Sequence, residues 1–160
     1  MKAREILSLA GSIVAMLKLK GNGYELNRDL NKIRKILNTI TEEIEEEVKL
    51  INDEISELRA EFCKKDEEGT PILSLAPTGE TDKDGSPVMT EVYQGLARGV
   101  NPEYDSRIKK LRDTLNDLMK KEYEVNIDIK IPRKFCEKIF KNENFDGLHQ
   151  GELEPYILDD

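Results

Sequence analysis

A single apolar stripe constrains this chain more than any other feature: Leu26, Leu30, Ile33, Leu37, Ile40, Ile44, Val48, Ile51, Ile55, Leu58 and Phe62 recur in steps of 4, 3, 4, 3, 4, 4, 3, 4, 3 and 4. Such spacing keeps side chains on one side of an α-helix. Here it predicts a helix of roughly 37 residues, about 55 Å long, with one four-residue stutter at positions 44–48. A narrow stripe leaves most of the helix circumference to water, which agrees with a composition of 36% charged and 38% apolar residues. The pattern predicts a mainly α, α+β protein, in which a long coiled-coil-like helical hairpin carries a small β-hairpin and one further strand.

Positions 3–19 carry Ile6, Leu9, Ile13, Met16 and Leu17 in a broader apolar face, the form of a helix buried on more than one side. Lys2 and Arg4 precede this run in the manner of a signal peptide. The run is too short to span a bilayer and has no small-x-small cleavage site, so a retained helix and a cytoplasmic protein are expected. Gly21-Asn22-Gly23 supplies a reversal into the long helix.

The long helix is polarised against its own dipole. Arg28, Lys32, Arg34 and Lys35 lie in its first half, whereas Glu42, Glu43, Glu45, Glu46, Glu47, Asp53, Glu54, Glu57 and Glu61 dominate its second. A returning helix explains the arrangement. Asn101-Pro102 is an N-cap followed by a helix-starting proline, and the stripe Tyr104, Ile108, Leu111, Leu115, Leu118 runs among Arg107, Lys109, Lys110, Arg112, Lys120 and Lys121. Packed antiparallel, base would face acid.

Between the two helices, Gly69-Thr70-Pro71-Ile72-Leu73 and Gly85-Ser86-Pro87-Val88-Met89 are two turn-plus-strand phrases, read as a β-hairpin with a polar loop at 78–86 whose tip is expected to be mobile. After Tyr123 the period becomes two, with Val125, Ile127, Ile129 and Ile131 alternating with Asn126, Asp128 and Lys130, the pattern of a strand. The organisation expected is one elongated domain over 1–160: N-terminal helix 1–20, long helix 24–65, β-hairpin 69–92, return helix 102–122, strand 124–131 and a C-terminal segment 133–160 with a short helix at 133–142.

Chemistry is sparse. Glu80-x-Asp82-x-Asp84-Gly85 with Glu91 approaches the spacing of a calcium loop. It begins with Glu rather than Asp, carries Pro87 where a free N–H is needed, and follows residues 71–77 that cannot form the entering helix, so a solvated loop is the better reading. The acid run 42–47 offers paired carboxylates, but on one exposed surface they share one environment, whereas acid/base work needs two. His149 has no Ser or Cys in motif context. Cys63 and Cys136 stand 73 residues apart without CxxC and read as free thiols beside Phe62 and Phe135. No Gly-rich phosphate loop is present, and a net charge of −8 argues against nucleic-acid binding.

Leu17-Lys18-Leu19-Lys20-Gly21, then Tyr24-x-Leu26-x-Arg28, then a long amphipathic helix ending in Lys65-Asp66-Glu67-Glu68-Gly69-Thr70-Pro71, resembles small phage- and prophage-encoded proteins of unknown function, among them the group DUF1617. The resemblance covers residues 17–71 and, more loosely, 147–160. It implies a phage or prophage source and a small non-enzymatic protein, and carries over no site residues.

These readings converge on a non-catalytic interaction protein without catalytic residues, metal site or cofactor, acting through helical surfaces as an assembly or accessory component. The alternative is an anti-defence or inhibitory module that binds a basic host protein or a small ligand. Glu43, Glu46, Glu47, Glu54 and Glu57 are the candidate contacts to a host or virion partner. A homo-oligomer is also expected. The returning helix covers about half of the long stripe, so a second chain would cover the rest through the N-terminal helix at Ile6, Ile13 and Leu17, the basic half of the long helix, or the edge at Val125, Ile127 and Ile129. Neither nucleic acid nor membrane is an expected partner.

Overall fold

The structure is a computed structural model that describes residues 1–19, 22–81, 85–141 and 147–158. Gly21 of the predicted reversal, Asp82 and Asp84 of the predicted mobile loop tip, and Phe145 of the tail lie outside them. The chain is mainly helical with a small antiparallel β-hairpin and two further, very short strands that pair with each other. Its elements are α1 (Ala3–Lys18), α2 (Tyr24–Phe62), β1 (Leu73–Thr81), β2 (Pro87–Tyr93), α3 (Pro102–Lys120), β3 (Ile131–Pro132), α4 (Arg133–Phe140), α5 (Gly147–Leu153), a 3-10 turn at Glu154–Tyr156 and β4 (Ile157–Leu158). They form two compact units, Met1–Glu47 with Asp117–Asp160, and Val48–Asn116.

In the first unit most of the α2 stripe is sealed: Leu26, Leu30, Ile33, Leu37 and Ile44 are fully buried and Ile40 half-buried, together with the fully buried Ala3, Ile6, Leu9, Ile13 and Met16 of α1, and Ile131, Cys136 and Leu153 from the C-terminal elements. The first half of the stripe therefore needs no second chain to cover it. The expected mismatch of lengths is made up within one chain, by elements distant in sequence. Asn22 ties the end of α1 to the start of α2, donating from Nδ2 to the Met16 carbonyl (2.8 Å) and to Asn27 Oδ1 (2.9 Å). The first residues pair with the segment after α3: the Met1 amino group donates to the Tyr123 carbonyl, and the Ala3 N–H to that of Lys121. Helix α5 packs on α1.

The strand expected at 124–131 is a correction. Tyr123, Val125, Ile127 and Ile129 are half-buried and their neighbours exposed, as the alternation demands, but the backbone forms a ladder only at Ile131–Pro132, where β3 pairs in parallel with β4. Period-two burial needs only an extended chain with one side against apolar groups. A strand also needs a partner backbone, and residues 124–130 meet none among the described residues.

In the second unit α3 returns along α2. Ile55 and Leu58 pack with Tyr104 and Ile108, and Ile51, Phe62, Leu96 and Leu111 flank them. The Phe62 and Tyr104 rings lie 5.9 Å apart at one end of this cluster. The predicted cap is present: Asn101 Oδ1 accepts from the N–H groups of Glu103 (3.0 Å) and Tyr104 (3.2 Å).

The β-hairpin is anchored where α2 ends, since the Lys64 N–H donates to the Gln94 carbonyl and its own carbonyl accepts from Ile72. Gly95, with φ +83°, lies so close that an added Cβ would sit 2.7 Å from Lys64 Cγ. The strands outrun the expected boundaries: β1 continues through Pro77 to Thr81, across an irregularity between Pro77 and Thr81. Register explains why proline is tolerated. The Gln94 N–H donates to the Ile72 carbonyl, which places Leu73, Leu75 and Pro77 where backbone groups point away from β2, so Pro77 costs no ladder bond.

Candidate functional site

The acidic face of α2 is built differently in the two units. In the first, Glu42, Glu43, Glu45 and Glu46 are exposed. Glu47 has a partner within the chain, because Lys121 Nζ reaches its Oε1 at 3.2 Å and also lies 5.0 Å from the Tyr123 ring centre. Base does face acid here, as the charge polarity of α2 predicts.

In the second unit Glu54 and Glu57 are exposed and border a shallow groove of about 310 Å³ between α2 and α3. Leu58 and Leu111 contribute apolar surface at its floor, and Glu61, Arg107 and Lys110 complete its rim. Arg107 bonds Glu61 at 3.0 Å and lies 5.4 Å from the Phe62 ring centre, which holds it on its own chain. Such a groove suits a side chain with an apolar stem and a cationic end.

The sequence holds no local sign of a further pair. Ser12 Oγ and His149 Nδ1 are 2.9 Å apart, and Ser8 Oγ donates to Glu152 Oε1 at 2.9 Å. A Ser–His contact has the form of a nucleophile and its base. Ser12, however, is 0% exposed, so no substrate carbonyl reaches its oxygen, and the two contacts clasp α5 to α1. Residues 137 apart in sequence give no motif by which to find them.

Asp29 is the one buried carboxylate of α2. Arg28 holds it at 2.9 and 3.2 Å and Lys32 at 3.3 Å, and chiefly the Arg28 contact lowers its pKa against the opposing effect of burial. Both cysteines are free and buried. Burial pushes the Cys136 thiol up to about 11, which keeps it protonated and a poor nucleophile. Among the described residues, no three His, Cys, Asp or Glu side chains gather closely enough to hold a metal ion. Glu91, the last position of the calcium-like spacing, pairs with Leu75 in mid-strand.

Of the residues expected at an oligomer interface, Ile6 and Ile13 are corrections. They are fully buried within the chain and present nothing to a second copy. Leu17, Val125, Ile127 and Ile129 are half-buried. Among the described residues no helix is long and apolar enough to cross a membrane. No family model, curated protein or solved structure matches the chain.

Proposed function

We propose that this chain is a non-catalytic interaction protein of phage or prophage origin, an assembly or accessory component whose α2–α3 groove receives a basic segment of a host or virion protein. The groove beside Glu54 and Glu57 carries the reading: two exposed carboxylates border apolar surface from Leu58 and Leu111, and of the two cations on its rim, Arg107 and Lys110, the first is engaged with Glu61. An amphipathic basic helix matches that chemistry, with its aliphatic stems on the leucines and its ammonium groups on the glutamates. The reading assigns the chain no hydrolase or transferase activity of its own, since exposed carboxylates in one environment do not divide into acid and base.

Fluorescence anisotropy with a labelled lysine- and leucine-rich helical peptide tests it. The wild-type chain should bind, more weakly as salt rises, and Glu54→Lys with Glu57→Lys should lower affinity about tenfold or more at unchanged helicity. Equal affinity of the double variant would remove the groove from the account.

A further inference from the structure

The solvent side of α2 carries a second stripe. Lys32, Lys35, Thr39, Glu43 and Glu46 follow in steps of 3, 4, 4 and 3, so at about 100° per residue all five lie within roughly 40° of one line along the helix. All five are exposed. The spacing is a palindrome about Thr39 with the charges inverted: a lysine at each position before it answers a glutamate at the same distance after it. Lys32 has a local contact to Asp29 at 3.3 Å, and no ion pair holds Lys35, Glu43 or Glu46 among the described residues. Ile36, an apolar side chain left 38% exposed, stands beside the stripe. A shallow groove of about 390 Å³ runs along its basic half, bordered by Tyr24, Asn27, Arg28, Asn31, Lys32 and Lys35.

We propose that this face binds a second copy of the chain, with the two α2 helices antiparallel and a two-fold axis at Thr39. The axis carries Lys35 onto the partner's Glu43 and Lys32 onto the partner's Glu46, and symmetry repeats both pairs, giving four ion pairs around a neutral centre. A parallel arrangement would instead set lysine on lysine and glutamate on glutamate. Any other occupant would have to present the inverse charge order at the same spacing, and α2 presents it to itself. Exposed ion pairs are individually weak, so the dimer is a micromolar, salt-sensitive one rather than an obligate one. The proposal uses none of the groove residues Glu54, Glu57, Leu58 or Leu111, so it stands or falls separately from the partner site.

Charge reversal with complementation tests it on the full chain by sedimentation velocity, from about 1 to about 300 µM at low and high salt. The wild type should dimerise with a micromolar dissociation constant that weakens about tenfold at high salt. The pair Lys32→Glu with Lys35→Glu, and the pair Glu43→Lys with Glu46→Lys, should each be monomeric and as helical as wild type. An equimolar mixture of the two should form a heterodimer, and the variant carrying all four changes should dimerise again. Should either reversed protein lose helicity, the milder Lys35→Gln with Glu43→Gln supplies the measurement, with dimerisation weakened about fivefold or more. A wild type that stays monomeric at low salt overturns the proposal. So does a dimer that survives both reversals, or a mixture of the two that stays monomeric.

Discussion

Helix α2 serves two units, and they cover the same stripe to different depths. In Met1–Glu47 five of its six stripe residues, at 26, 30, 33, 37 and 44, are 0–1% exposed and Ile40 is half-buried, whereas in Val48–Asn116 Ile55 and Leu58 keep a small exposure and Val48, Ile51 and Phe62 are half-buried. Leu50, in the second unit, is 64% exposed. On either side of the stutter at 44–48 the apolar residues keep the same spacing of three and four, so it decides which side turns inward in both units. It does not decide how thoroughly that side is covered. Coverage comes from what packs there. The first unit brings in α1 and the C-terminal elements, while the second has α3 and a hairpin whose Leu73, Leu75 and Met89 remain exposed.

Truncation should expose this difference most strongly. Ile33→Ala removes a side chain that is 0% exposed and should destabilise by about 4 kcal/mol, against about 2–3 kcal/mol for Leu58→Ala at 3% exposure in the thinner core, both read by urea unfolding. Equal losses would remove the contrast. Gly95→Ala should cost about 2 kcal/mol, since it places a Cβ at φ +83° and drives it against Lys64, loosening the hairpin anchor. A neutral result would mean that the base of the hairpin yields easily.

The smallest effect concerns Asp29 and pH. Its folded pKa is lowered, so the stability it provides is fully present above its unfolded value, about 3.9, and is lost as pH falls through the folded value. Wild type should therefore lose more stability than Asp29→Asn between about pH 5 and about pH 2, by under about 1 kcal/mol because Arg28 and Lys32 are half-exposed. Parallel pH profiles would show that the Arg28–Asp29 contact adds nothing to the first unit.

Local chemistry made α2 and α3 legible. A sustained helical period, a stutter, and Asn101 before Pro102 are all statements about neighbours in sequence, and the cap forms as read. Helix α5 is built on Gly147 and Gly151, poor helix formers, and is held by Ser12–His149 and Ser8–Glu152 contacts that no short window contains. The same non-local packing sealed Ile6 and Ile13. Positions 124–130 show the converse error, because alternation reports one-sided burial and is silent about a ladder partner. Of the candidate surface, the exposed glutamates were legible as a group. The division into Glu47 bound to Lys121, Glu54 and Glu57 at a groove, and Glu43 and Glu46 in a charge palindrome required knowing which side of α2 each residue occupies and what lies across from it.

Residue-resolved amide hydrogen exchange along α2 tests the central claim, one helix shared by two unequally covered units, most directly. Amides at 33–44 should exchange only through global unfolding, and those at 50–62, together with the strands β1 and β2, at least about tenfold faster through opening of the second unit alone. Uniform protection from 26 to 62, or slower exchange in 50–62 than in 33–44, would contradict the account.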